Sequence, residues 1–268
     1  MSVVSGRLRL TVLGCSTAAP DPGSPAAGYL VEWDDTAILL DAGQGVVRRL
    51  QAVLDPRRLT AVVIGHMHAD HYLDLAGLRY LFPWGDEAPR RLPVHLPPGG
   101  RPRLDALADA ISERPGFFDA AYDIGEYDPE AGLRIGPLGI RFHRGRHYVP
   151  AWGLLVEAPD GARLAYTGDT GPSRSMAEFA RGADLLLVEA TLRDVADDDP
   201  DRGHLTPQEA VELATAAEVR STLLVHYPSD RRQELDASCA AAGSSIRPAV
   251  AGLTRTISAV TSLAEGIA

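Results

Sequence analysis

Short apolar runs, each stopped by Gly, Pro or Asp, set the rhythm of this chain. "LRLTVLG", "GYLVEW", "AILLDAG" and "TAVVIGH" are rich in Val, Ile and Leu and read as buried strands. The first three follow one another with no room for a helix, which predicts an antiparallel meander. Helical spacing then enters: "GVVRRLQAVL" and "YLDLAGLRYLF" repeat apolar residues three and four apart. "LPVHLPP" is a short strand candidate inside a Pro- and Gly-rich stretch, and "RLDALADAIS" reads as a helix. Residues 114–132 carry no legible period.

The second half repeats this rhythm. Strands are expected at "GIRFHRG", "WGLLVEA", "ARLAYTGD", "DLLLVEAT" and "STLLVHY". The clearest helix is "TPQEAVELATAAEV", with Thr206 as N-cap, Pro207 at the first helical position and Glu209 closing a capping box. A helix near 231–242 and a strand "TRTISAV" follow. No repeat of fixed period is visible, and no linker is long enough to divide the chain, so residues 1–268 are expected to form a single domain. Two batches of strands, each followed by helices, predict two mixed β-sheets packed face to face with helices outside: a four-layered αββα sandwich of the α/β class.

Composition narrows the partners. The formal net charge of the 268 residues is −10, with a pI near 5.2. Long nucleic acid and anionic membranes reward clustered positive charge, so neither is expected as the main partner. All 26 basic residues are Arg, which excludes a Schiff-base lysine or a P-loop lysine. Cys15 and Cys239 form neither a framework nor a C-x-x-C pair, so a reducing cytoplasm is the expected location. Arginines interrupt the apolar stretch at the N-terminus, which argues against a signal peptide there. No apolar run reaches the ~18 residues of a membrane span.

The chemistry is concentrated in "VVIGHMHADHYLD". Three of the eight histidines, with Asp70, fall between His66 and His71. If the strand continues, His66 and His68 project from one face, with Asp70 and His71 beside them on the turn. Imidazole and carboxylate are the preferred ligands of Zn²⁺ and similar ions, and H-x-H-x-D-H is too dense a set for isolated core histidines.

"HMHADH" resembles the signature of the metallo-β-lactamase superfamily. The resemblance extends to "RGRHYVPAWGLLVE" (His147), "LAYTGDTG" (Asp169) and "TLLVHY" (His226), and covers most of the chain. It implies that His66, His68 and His147 hold one metal, that Asp70, His71 and His226 hold a second, and that Asp169 bridges. It also implies two divalent ions, Zn²⁺ first, with Mn²⁺, Fe and Ni²⁺ as alternatives. Two such ions acidify a shared water, polarise the substrate and steady the leaving oxygen. Asp70 has to stay ionised for this role. His143 competes with His147 and is less well matched to the family pattern; His95 has no counterpart. Asp41 either orients a ligand histidine or caps the helix that begins near Gly45.

Within the superfamily, "LLLVEAT" (Glu189) and "GHLTPQEA" (His204) resemble the Glu and His of ribonuclease Z and its phosphodiesterase relatives. There a carboxylate holds an imidazolium against the scissile phosphate. Glu189 and His204 are therefore candidate catalytic residues together with Asp70. Ribonuclease Z carries a long tRNA-binding arm between the positions matching His147 and Asp169; here only 22 residues separate them (169 − 147). The opening "TVLGCSTAAPDPGSPAAGYLVE" also resembles compact bacterial hydrolases of the cyclic-nucleotide phosphodiesterase kind. A small phosphodiester is the expected substrate. The alternatives are hydrolysis of a thioester, lactone or β-lactam, ribonuclease Z-like RNA processing, which the missing arm disfavours, or a scaffold without catalysis. Tyr72, Trp84, Tyr148 and Trp152 are candidate base-stacking residues, and residues 76–130 a candidate homodimer face.

Overall fold

The computed structural model describes residues 6–82, 90–243 and 245–259. Its strands are β1 (Leu8–Gly14), β2 (Gly28–Trp33), β3 (Thr36–Leu40), β4 (Ala61–Val63), β5 (Leu92–Leu96), β6 (Tyr122–Glu126), β7 (Leu133–Ile135), β8 (Leu138–Arg144), β9 (Trp152–Glu157), β10 (Arg163–Tyr166), β11 (Leu185–Glu189), β12 (Thr222–Val225), β13 (Ile246–Pro248) and β14 (Thr254–Ile257). The α-helices are α1 (Val46–Val53), α2 (Ala69–Tyr72), α3 (Leu75–Leu78), α4 (Gly100–Ile111), α5 (Arg174–Phe179), α6 (Pro207–Ala216) and α7 (Arg232–Ala242).

Two seven-stranded sheets result, ordered β14-β1-β2-β3-β4-β5-β6 and β13-β12-β11-β10-β9-β8-β7. In each, an antiparallel meander passes into parallel strands: β3 to β6 are mutually parallel, as are β10 to β13. This is the αββα sandwich the pattern predicts. Strand alternation builds it. In β3, Ile38 and Leu40 face the opposite sheet while Ala37 and Leu39 face the helices. In β11, Leu185 and Leu187 point inward, Leu186 and Val188 outward. Both faces are covered, so these strands read as continuous apolar runs rather than alternating ones. Leu50, Leu75 and Leu104 bring α1, α3 and α4 onto the first sheet; Met176, Leu213 and Leu235 bring α5, α6 and α7 onto the second.

Several local expectations change. β4 stops at Val63, so His66 and His68 are not on the strand; His66 keeps only an isolated bridge to Ala151. Asp70 and His71 lie in the short helix α2 rather than on a turn. The span 114–132 contains β6, a half-exposed edge strand whose "YDIGE" lacks apolar period. The helix expected at 72–82 breaks into α3 and a 3-10 turn, Arg79–Leu81. The Thr206–Glu209 capping box is present as predicted, with Thr206 accepting from the Glu209 N–H. No helix among the described residues is long and apolar enough to cross a membrane.

The topology places chemistry on one rim. β3 and β4 run parallel, as do β10, β11 and β12, so the residues at their carboxyl ends gather there: Asp41, His66–His71, Asp169, Glu189 and His226. The core beneath is dense. Replacing Leu40, which is fully buried between the sheets one residue before Asp41, by Ala is expected to cost about 2–5 kcal/mol, read as a lowered denaturant midpoint at unchanged slope.

Candidate metal centre

Seven side chains named from the sequence come together here. His66, His68 and His147 form one group able to hold a metal ion; Asp70, His71, Asp169 and His226 form a second, each with its ligand atoms within 4.8 Å of one another. Asp169 sits between them. Its Oδ2 lies 3.7 Å from His66 Nε2, 3.4 Å from His71 Nε2, 3.5 Å from His226 Nε2 and 4.0 Å from His147 Nε2. Asp169 follows Gly168, whose φ of 58° turns the chain sharply where a Cβ would meet the Trp152 carbonyl at 3.0 Å.

The hydrogen bonds behind these groups fix which nitrogen faces inward. His71 Nδ1–H donates to Asp41 Oδ2 at 2.8 Å, leaving Nε2 aimed at Asp70 and Asp169. His147 Nδ1–H donates to the Gly203 carbonyl at 2.8 Å, leaving Nε2 free. Thr191 Oγ1 donates to Glu189 Oε2 at 2.6 Å and accepts from His226 Nδ1–H at 2.8 Å, leaving His226 Nε2 free. In each case the outer contact sets the tautomer, the arrangement that orients metal-ligating histidines.

The inward atoms suit a cation and little else. His68 Nδ1 and His147 Nε2 face one another at 3.0 Å, and His226 Nε2 faces Asp70 Oδ2 at 3.0 Å. With the outer protons of His147 and His226 already placed, their Nε2 atoms each present a lone pair that needs a proton or a metal between it and the facing atom. His66 Nδ1 and Nε2, His71 Nε2 and Asp169 Oδ1 are buried with no hydrogen-bond partner, in an interior where an unpaired polar atom costs about 1–3 kcal/mol. Burial pushes the His66, His68 and His147 pKa values down, so their imidazoles are neutral, the ligating form. Burial opposes ionisation of Asp169, but positive charge facing it from His226 and His71 overcomes this and holds the carboxyl well below its usual range. Despite burial, Asp169 and Asp41 in turn hold the His71 pKa well above the usual imidazole value, so a proton takes the inward place where no metal does. The donor set fits a divalent metal.

Asp41 orients His71 and does not cap a helix. It is fully buried, and Oδ1 accepts from the Gly65 N–H at 2.8 Å while Oδ2 also accepts from Tyr166 Oη–H at 2.9 Å. The N-cap of α1 is Gly45 with no side-chain cap; Asp74 accepts from Val47 N–H instead. Asp41 and His226 both adopt left-handed backbone, φ 58° and 55°, an uncommon state for residues with a Cβ that clusters at functional sites. Gly43 sits where a Cβ would fall 1.9 Å from the Asp70 carbonyl oxygen, so only glycine lets α2 approach.

Beside this cluster lies the second predicted pair. His204 Nδ1–H donates to Glu189 Oε1 at 2.8 Å, and its ring centre is 4.9 Å from that of His147 and 5.7 Å from that of His226. Glu189 is completely buried and also accepts from Thr170 N–H, Thr191 N–H and Thr191 Oγ1–H. Burial works against a charge on His204, but the Glu189 hydrogen bond and charge dominate and raise its pKa to about 9.

Other candidates fall elsewhere. His143 bonds Ser175 Oγ at 2.9 Å and stacks on Phe179, away from the cluster; His95 is within β5. Trp152 is core, packed edge-on to Tyr127, and Tyr72 packs against the outer face of the first sheet. Tyr148 is 52% exposed with its ring 5.0 Å from His147 and 5.8 Å from His204, at the mouth of the site. Trp84 lies outside the described residues. Cys15 is buried, and desolvation lifts its thiol to about 11. Sequence reasoning missed Thr191, Tyr166 and the Gly203 carbonyl. Thr191 is two residues beyond Glu189, but nothing in a single sequence marks a threonine as a relay.

A buried His/Asp centre at the carboxyl rim of an αββα sandwich defines a metallo-hydrolase class. Residues 36–227 match the family described as beta-lactamase superfamily domain, and the chain belongs to that superfamily. It is 37% identical over 232 residues to the uncharacterized protein Rv1339 of Mycobacterium tuberculosis, covering 82% of this chain and 81% of that protein. It is 27% identical over 267 residues to ribonuclease Z of Haloferax volcanii, covering 82% and 84%. The fold is shared with the crystal structure of the metallo-beta-lactamase fold protein YhfI of Bacillus subtilis (TM-score 0.79, 24% identity, 92% of this chain and 99% of that one). It is also shared with a diphosphatase of the PhnP family (TM-score 0.74, 21% identity, 94% and 100%).

Removing the Asp41 carboxylate tests its role directly. Asp41→Asn is expected to weaken metal affinity by about 10–100-fold, measured by competition with a chromogenic chelator, with the fold monitored by circular dichroism.

Proposed function

We propose that this chain is a phosphodiesterase acting on a small substrate, such as a cyclic nucleotide or short phosphodiester, with two divalent ions in the centre. His66, His68 and His147 hold one, Asp70, His71 and His226 the other, and Asp169 joins them; Zn²⁺ fits the donors best, with Mn²⁺, Fe or Ni²⁺ as alternatives. When bound, such ions supply Lewis-acid polarisation and acidify a water.

The Glu189–His204 pair carries the reading. A buried carboxylate holds His204 as an imidazolium beside the centre, with its side chain 16% exposed. A phosphodiester presents anionic oxygens and an alkoxide leaving group, and a cationic proton donor serves both. A thioester, lactone or β-lactam has no anionic phosphate for the imidazolium to hold. The ribonuclease Z relative and the diphosphatase neighbour support phosphoester chemistry by their names. Two features argue for a small substrate. β9 and β10 fill the short path from His147 to Asp169, leaving no room for an arm. The exposed Asp194, Asp197, Asp199 and Asp201 lie on the loop leading to His204 and repel a polyanion. Tyr148, bonded to Asp198 at the mouth, offers a face for a base.

The test is hydrolysis of cyclic nucleotides and bis(p-nitrophenyl) phosphate by protein loaded with Zn²⁺ or Mn²⁺; no turnover by a fully metallated sample overturns the proposal. His204→Ala is expected to lower kcat on a phosphodiester by about 10²–10⁴-fold, whereas a thioester or lactone hydrolase would keep its rate.

The sign of the pH effect follows from the raised pKa. Below about 6.5 His204 is protonated both folded and unfolded, and the Glu189 contact stabilises the fold in full. That contribution is lost as pH rises through about 9. The alkaline limb of kcat/KM, which reports the free enzyme, is therefore expected no higher than about 9, because bound cations lower it, and is expected to vanish in His204→Ala.

A further inference from the structure

A cavity of about 670 Å³ opens between the loop Ala19–Ala26 and one face of α1. That volume falls in the range of small-molecule sites, about 300–1,000 Å³. Its chemistry is unlike the rest of this acidic chain. Gly45, Arg48, Arg49 and Ala52 recur at helical spacing, so both guanidiniums project from the face of α1 that lines the cavity. Both are exposed, and neither is in an ion pair among the described residues.

Asp21 also lines the cavity, but its carboxylate is committed. Oδ1 accepts from Gly23 N–H, Ser24 N–H and Ser229 Oγ–H, and Oδ2 from Ser16 Oγ–H and Ser229 N–H. These bonds staple the loop and leave the arginines free. Gln44 helps hold the wall. Its Nε2–H donates to the Ala18 carbonyl at 2.8 Å, which fixes the amide, while Oε1 is buried with no partner. Pro20, Pro22 and Pro25 make the remaining wall rigid and apolar.

We propose that this cavity is a second binding site, taking a phosphorylated small molecule of the nucleoside monophosphate class. Arg48 and Arg49 grip the phosphate, and the proline wall packs the flat body. The site abuts the supports of the metal centre. Ser229, stapled to Asp21, lies three residues beyond His226, and the Ala26 side chain and the Asp70 backbone both crowd Gly43. An occupant would therefore press on both halves of the centre. The binding claim does not rest on the phosphodiesterase reading, because the cavity contains none of the metal-ligating residues.

The probe is adenosine monophosphate, titrated by calorimetry into metal-stripped and metal-loaded protein, with inorganic phosphate and adenosine alongside. Binding is expected in the stripped protein. The double variant Arg48→Gln, Arg49→Gln is expected to weaken it at least tenfold while melting temperature and metal content stay unchanged. Arg103→Gln, an exposed arginine on α4, controls for loss of bulk charge. No binding to stripped wild type, equal binding by the double variant, or an equal loss in Arg103→Gln overturns the proposal. In the loaded enzyme, a rise in KM with adenosine monophosphate that the double variant abolishes marks the site as holding one end of the substrate. A change in kcat without competition that the double variant abolishes marks a separate effector; either result supports the site.

Discussion

A buried carboxylate cannot remain ionised without positive charge close by, and Asp169 is 2% exposed with one oxygen lacking any hydrogen-bond partner. Four imidazole nitrogens, from His66, His71, His147 and His226, stand 3.4–4.0 Å from its other oxygen. Each of those rings except His66 has its outer nitrogen engaged by Asp41, Gly203 or Thr191. The protons are thereby placed outside and the lone pairs inside. The surrounding architecture serves to keep this otherwise repulsive set of atoms in one place.

The sandwich does so through strand ends. Residues as far apart as His66 and His226 follow strands of different sheets, yet both of those strands run parallel to a neighbour and end on the same rim. Cores on three levels, one between the sheets and one under each helical layer, hold those ends still. Rigid packing underneath is what allows left-handed backbone at Asp41 and His226 to persist.

Glu189 joins two functions that the chain keeps separate. Through Thr191 it sets the tautomer of His226, a residue of the candidate metal centre, and directly it charges His204 at the rim. Four donors satisfy it, so its burial carries no unpaired charge. A change at Glu189 therefore disturbs both sides at once, whereas Thr191 and His204 can be altered one at a time.

The sequence by itself determined a great deal. Continuous apolar runs identified most strands of the αββα core, because strands covered on both faces cannot hide their composition. The crowding of His66, His68, Asp70 and His71 announced a metal centre, because ligand chemistry restricts residue type. Edge strands such as β6 escaped, since a half-exposed strand needs no apolar period, and the assumed strand beneath His66 ended early. Only tertiary structure decided that Asp41 orients His71 rather than capping α1, that His147 and not His143 faces the cluster, and that Thr191 relays Glu189 to His226. These are contacts between segments distant along the chain, and their geometry depends on where two sheets bring strand ends together, which no local pattern encodes.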